Sequence, residues 1–158
     1  MVDKVRVGLV DDHAIVRAGL QQFFADLGDI DVVGQADSGR AAIDLVRTCP
    51  MDVLLMDLSM PGQTGLDALA MIRAKAPDLK VLVLSSYPEE HYAQHLLRLG
   101  AQGYLNKQCE PEEIATAVRA VAKGQNYLSS RMQALQGQQS GQVEQRPAVQ
   151  RGIRIPAP

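Results

Sequence analysis

The chain has no apolar run near the ~20 residues needed to cross a bilayer, and little that suggests export. Val7–Val10 is apolar, but it stops at once in Asp11 and Asp12 instead of extending into a signal peptide. Cysteine is scarce: Cys49 and Cys109 form neither a C-x-x-C nor any metal-ligand spacing, so both read as reduced structural thiols of a cytoplasmic protein. Positive charge is also short where it would matter for nucleic acid. Residues 1–128 hold 12 Lys and Arg against 17 Asp and Glu. An acidic body is a poor partner for phosphate backbones, whose affinity comes from neutralising charge. No internal repeat is evident. At 158 residues the chain has room for one well-cored domain and not comfortably for two.

The first 128 residues alternate short apolar runs with longer helical patterns. The runs Val5–Val10, Asp31–Ala36, Asp52–Asp57, Lys80–Ser85 and Gly103–Leu105 are nearly continuous in Val, Leu and Ile, as in parallel strands buried on both faces. Between the first two, Ile15, Val16, Leu20, Phe23, Phe24 and Leu27 recur at helical spacing, and Gly28 stops the helix. Ser38 caps a second helix that runs to about Thr48, with Pro50 just beyond. Thr64 and Asp67 resemble a capping box for a third, which ends before Pro77. A fourth helix is predicted from about Glu89 to Leu99, closed by Gly100. A fifth carries Pro111, Glu112 and Glu113 in its first turn and Lys123-Gly124 at its end. Five strands alternating with five helices predict an open, doubly wound α/β sheet, with its ligand site beyond the carboxyl ends of the strands.

Residues 129–158 differ: seven Gln, three Gly, three Pro, no aromatics and no apolar period. They hold four Arg and one Glu. Such a segment buries too little surface to offset its ordering entropy and is expected to be a disordered tail, with at most a short helix near Arg131–Leu135.

Chemistry gathers at the strand ends. Asp11 and Asp12 close the first strand, Asp57 the third, Ser85-Ser86 the fourth, and Lys107 follows the fifth. Three carboxylates at one sheet edge repel unless a cation joins them. Hard oxygen ligands in small number suit Mg²⁺, which also accepts phosphate oxygens. A carboxylate can attack a phosphoryl group to form an aspartyl-phosphate, and a metal with a Lys ammonium cradles the charge on its equatorial oxygens. Asp57, alone at the end of the central strand, is the nucleophile of choice; Asp11 and Asp12 are then the metal-holding pair, and Ser85 can hydrogen-bond a phosphoryl oxygen. Taken singly, an Asp after a strand is as readily a helix cap; only the conjunction argues for a site.

Four segments carry a resemblance: Leu-Val-Asp-Asp-His-Ala-Ile-Val-Arg-Ala-Gly-Leu (9–20), Leu-Met-Asp-Leu-Ser-Met-Pro-Gly (55–62), Val-Leu-Val-Leu-Ser-Ser (81–86) and Gly-Ala-Gln-Gly-Tyr-Leu-Asn-Lys (100–107). The chain resembles the receiver domains of two-component response regulators, and among them the NarL/FixJ subfamily, over about residues 3–128. The resemblance implies a flavodoxin/CheY-like fold, a five-stranded parallel sheet in the order 2-1-3-4-5 with five flanking helices. It implies that Asp57 is phosphorylated by a sensor histidine kinase, and that Asp12, Asp57 and the backbone carbonyl of Ser59 bind Mg²⁺ while Asp11 helps through water. Ser85 is then the switch hydroxyl, Lys107 the phosphate-binding ammonium, and Tyr104 the aromatic that changes rotamer on activation, ordinarily leading to a phosphorylation-dependent homodimer and transcription control. Where many receivers have Pro after the lysine, Gln108 stands here, predicting a more mobile loop. Regulators of this subfamily continue into a helix-turn-helix domain that contacts DNA. The segment 129–158 has no place for one, so DNA contact is expected only through an output domain missing from this chain. Two other readings stand beside this one: a receiver or phosphate sink with no DNA output, and a phosphohydrolase of the haloacid-dehalogenase type, against which Asp11-Asp12 replaces the Asp-x-Asp of that class.

Some residues are assigned lesser parts. His13 follows the acidic pair as a metal ligand or a phosphorelay histidine would, but as a lone histidine it reads as a first-turn helix residue beside the site. His91 and His95, at i and i+4, could chelate a metal, but with no third ligand they read as solvent-exposed. Met56, Met60 and Met71 read as core filler and loop packing.

Overall fold

A computed structural model describes residues 4–58, 65–85 and 97–128, the side chains of Gly65 and Leu66 excepted. Apart from Leu128, the described residues belong to one compact unit, Met1–Tyr127. Five parallel strands form its sheet: β1 Val5–Val10, β2 Ile30–Ala36, β3 Val53–Asp57, β4 Lys80–Ser85 and β5 Gly103–Asn106. The helices that lie wholly within the described residues are α1 Ala14–Leu27, α2 Gly39–Thr48, α3 Gly65–Lys75 and α4 Pro111–Ala122. Strand order is β2-β1-β3-β4-β5, followed by a two-residue strand β6, Tyr127–Leu128. The expected order is thus observed, and the strand limits differ from the sequence reading by a residue or less. The sixth strand is a departure: two residues are too few to show a period, and the Tyr127 N–H is tied to the chain by donating to the Gln102 carbonyl at 2.9 Å.

The central strands are apolar on both faces because both faces are covered. One face joins Val7, Leu9, Val53, Leu55, Leu82, Leu84 and Leu105 to Phe24 of α1 and to Ile114, Ala117, Val118 and Val121 of α4. The alternate residues Leu54, Met56, Val81 and Val83 point the other way and are also fully buried, as are Ala42 of α2 and Ala68, Leu69 and Ile72 of α3. Each such Leu or Val stabilises the fold by about 1.5–3 kcal/mol relative to exposure. Continuous apolar runs and a doubly covered parallel sheet are one fact seen in sequence and in space.

Helix limits follow local chemistry. Gly28, at φ 85°, closes α1 with its N–H on the Phe24 carbonyl; left-handed backbone is easy only for glycine. The Ser38 hydroxyl accepts from the Ala41 N–H at 3.1 Å and starts α2. Pro111 opens α4, where its missing N–H costs nothing, and Gly124 at φ 90° follows its end. Two expectations need correction. Ile15 is 87% exposed and Leu27 41%, so the apolar stripe of α1 is buried fully only at Phe24. Met71 is also exposed rather than core filler, because α3 turns Ala68, Leu69 and Ile72 inward instead; Met56 is core as expected. The capping residue Thr64, Met60, His91 and His95, most of the predicted fourth helix and the tail 129–158 lie outside the described residues, though Leu97 and Arg98 are helical. No described helix is long and apolar enough to cross a membrane.

Candidate functional site

The parallel register delivers the strand ends to one edge. Val10 pairs with Met56 and Asp57 with Leu84, so Asp11, Asp57 and Ser85 emerge side by side at the carboxyl ends of β1, β3 and β4. Backbone bonds fix the exits: the Asp11 N–H donates to Ala36 O at 3.0 Å, Leu58 N–H to Leu84 O at 3.2 Å, and Lys107 N–H to Ser85 O at 2.9 Å. The last of these brings the lysine back over the edge just after β5. Asp11, Asp57 and Ser85 are the buried polar residues of the described fold, at 4%, 1% and 0% exposure.

Lys107 joins them. Its Nζ donates to Asp57 Oδ2 at 2.9 Å and stands 3.1 Å from Asp11 Oδ2. Burial works hardest against its charge, but the hydrogen bonds to Asp57 and Asp11 outweigh it and raise its pKa above the ordinary 10.5, so Lys107 is an ammonium at neutral pH. Burial likewise opposes ionisation of Asp11. The His13 amide, Lys107 and the His13 ring together overcome it and hold the carboxyl below the usual 3.8.

The remaining acid is Asp12, with a side chain 24% exposed. Its Oδ1 is buried and has no hydrogen-bond partner among the described residues. The His13 Nδ1 is 3.0 Å away, but it hydrogen-bonds Asp11 Oδ1, at 3.1 Å, and merely approaches Asp12. A buried carboxylate oxygen without a partner is costly and calls for a cation or water. Asp11, Asp12, His13 and Asp57 each offer one ligand atom, all within 4.8 Å of one another. Three carboxylates and a single nearby ammonium leave the pocket net negative, and the hard oxygen set fits Mg²⁺. Ser59, whose carbonyl is the remaining expected ligand, lies outside the described residues.

Tyr104 is fully buried in β5, opposite Val83 and one side-chain period before Asn106, which faces Ser85. Beyond β5, the Gln108 N–H donates to Asn106 Oδ1 at 2.8 Å. A proline at 108 would lack that N–H; the glutamine therefore gives this loop a bond that Pro-bearing receivers forgo. Two further residues stand near the site, Arg17, which the sequence reading did not single out, and His13, which it placed in the first turn of the helix. The Arg17 guanidinium donates to the Asp11 carbonyl and, at 3.0 Å, to Gln35 Oε1, bracing the β1 exit against β2. His13 is the N-cap residue of α1, yet its ring contacts the acids instead of capping. The signal for Arg17 was its place one helical turn after His13.

Comparison with known proteins agrees with this geometry. The family model described as response regulator receiver domain matches residues 7–119. The response regulator UvrY of Escherichia coli (strain K12) is 41% identical over 126 residues, covering 80% of this chain and 58% of UvrY. The chain thus spans about three-fifths of the length of that relative. A two-component response regulator of the LuxR family from Aurantimonas sp. superposes with a TM-score of 0.81 at 28% identity, over 88% of this chain and 99% of that one. The isolated receiver domain of RcsB from Salmonella enterica, solved with the phosphomimetic BeF₃⁻, gives a TM-score of 0.76 at 27% identity, over 84% of this chain and 99% of that one. With its sheet order, its acid-and-lysine edge and these relatives, the chain belongs to the response-regulator receiver domains, of the NarL/FixJ type.

Proposed function

We propose that Asp57 is the phosphoacceptor of this receiver, taking its phosphoryl group from a phosphohistidine of a sensor histidine kinase in the cytoplasm. The observation that carries the reading is the buried Asp57 carboxylate, held at 2.9 Å by the Lys107 ammonium beside a buried Asp12 oxygen that accepts no hydrogen bond among the described residues. A buried acid that serves only as a cap needs neither. In the transfer, an Asp57 oxygen forms the bond to phosphorus as the phosphorus–nitrogen bond breaks and its electron pair returns to the donor imidazole. Lys107 moves with its charge from carboxylate to phosphoryl oxygen, and Ser85 donates its hydroxyl to another. Asp12, Asp57 and the Ser59 carbonyl would hold Mg²⁺, with Asp11 helping through water, and the ion would neutralise charge on the incoming phosphate.

The gain of phosphoryl acceptors draws on Ser85 and, through the adjoining strand, on Tyr104, shifting the population of surfaces that recognise partners. A second copy of the chain is the first such partner, and any contact with DNA runs through a separate output domain. On this reading the domain is a signalling switch and not a turnover enzyme. Beryllofluoride with Mg²⁺ tests it by fluorine NMR. A bound BeF₃⁻ resonance is expected for the wild type and none for Asp57→Asn; equal signals from both proteins would overturn the assignment.

A further inference from the structure

The phosphoacceptor reading uses Asp11, Asp12, Asp57, Ser85 and Lys107 and leaves His13 without a task. The His13 side chain is 63% exposed, so packing does not force it onto the acids. Nonetheless its Nδ1 lies 3.1 Å from Asp11 Oδ1 and 3.0 Å from Asp12 Oδ1. Its own N–H, donating to Asp11 Oδ1 at 2.8 Å, anchors the backbone that carries the ring. Two ligands at right angles about a cation, each 2.0–2.1 Å from it, stand roughly 2.9 Å apart, and opposite ligands roughly 4.2 Å apart. The two His13 separations approximate two edges of such an octahedron that meet at Nδ1. The 4.8 Å limit on all four ligand atoms accommodates its diagonal.

We propose that His13 is a metal ligand through Nδ1. It makes the site a mixed nitrogen–oxygen centre that selects divalent cations with an affinity for imidazole, such as Co²⁺ and Ni²⁺, beyond what the carboxylates alone confer. This rests on the phosphoacceptor reading and names the cation class for the same site. Mg²⁺ prefers oxygen and keeps its waters, so it gains little from the ring. Later first-row cations bind imidazole well. The cation takes the place now filled by the hydrogen bond between Nδ1 and Asp11 Oδ1, and the neutral ring carries its proton on Nε2.

The alternative is a His13 that only steadies the two carboxylates by hydrogen bonding, which favours every cation alike. The full chain with His91→Ala and His95→Ala retains His13 as its one histidine of three. Calorimetric titration of this protein with MgCl₂ and with NiCl₂ is compared with the same protein carrying His13→Gln or His13→Ala; Cys49 and Cys109 are common to all. Both His13 variants are expected to lose about tenfold or more in Ni²⁺ affinity, the scale on which even outer partners of a metal act, with Mg²⁺ affinity held within about twofold. Pulsed EPR of the Mn²⁺ form is expected to show nitrogen coupling that disappears in His13→Gln. Equal losses for Ni²⁺ and Mg²⁺, no change in either, or Mn²⁺ without nitrogen coupling overturns the ligand assignment while Mg²⁺ binding and phosphorylation by acetyl phosphate persist. A parent protein that binds neither cation and takes no phosphoryl group overturns the phosphoacceptor reading as well.

Discussion

At the scale of the residue, Lys107 keeps two buried carboxylates compatible. Removing it leaves Asp11 and Asp57 facing one another with the desolvation cost intact, so Lys107→Ala is expected to lose about 2 kcal/mol at pH 7, below the range for a wholly buried pair because Lys107 is partly open to water. Urea denaturation measures it. In the variant the Asp11 carboxyl loses a hydrogen-bonding cation and titrates higher than in the wild type. Its burden is carried by the charged form, so the deficit is largest at neutral pH and shrinks as acid protonates the carboxyl. A deficit that grows on acidification contradicts this. The pair of Asp29 with Arg119, 2.8 and 3.0 Å in bidentate geometry, has the same pH direction at smaller magnitude. The hydrogen bond from Arg119 is the chief influence and holds the Asp29 carboxyl below 3.8. A depressed carboxylate contributes above its unfolded value and loses that contribution as pH falls through its folded value. Because both side chains are about two-fifths exposed, Asp29→Asn is expected to cost only about 0.2–1 kcal/mol at pH 7. The difference should vanish well below pH 3.8, a point that denaturation curves at the two pH values decide.

At the scale of the element, caps and close approaches carry the specificity. Ser38→Ala deprives the Ala41 N–H of its partner and is expected to cost about 1 kcal/mol, with faster amide exchange at the start of α2. At Gly103 a methyl group would lie 2.7 Å from Leu82 Cδ1 and 2.9 Å from the Tyr127 carbonyl oxygen. The leucine tip can turn away, but the backbone oxygen of β6 can do so only if that strand shifts. Gly103→Ala is therefore expected to lose about 1–3 kcal/mol by overpacking, and a thermal melt indistinguishable from wild type would refute it. Serine caps of this sort are legible in sequence because one residue makes the contact. Gly103 is not, because its neighbour Tyr127 is 24 positions away along the chain.

At the scale of the whole molecule, the sheet and its edge of acids and lysine were legible for one reason. Continuous apolar runs identify strands covered on both faces, and in a parallel sheet all their carboxyl ends meet at one edge. That rule alone brings Asp11, Asp57, Ser85 and Lys107 together. It does not say that Lys107 reaches both acids, that His13 turns back onto them, or that Ile15 and Met71 remain outside the core, since those depend on side-chain directions that spacing leaves open. β6 escaped notice because two residues have no period. If phosphorylation shifts partner surfaces, sedimentation with BeF₃⁻ and Mg²⁺ is expected to show a larger species than without them, and no such shift in Asp57→Asn. An unchanged wild type would separate phosphoacceptance from self-association.

The most direct test of the central claim is intact and peptide mass spectrometry after incubation with acetyl phosphate and Mg²⁺. A single acid-stable, base-labile phosphoryl adduct on the peptide that contains Asp57, absent from Asp57→Asn, is the predicted result. No adduct on the wild type, or equal labelling of the variant, would contradict the account.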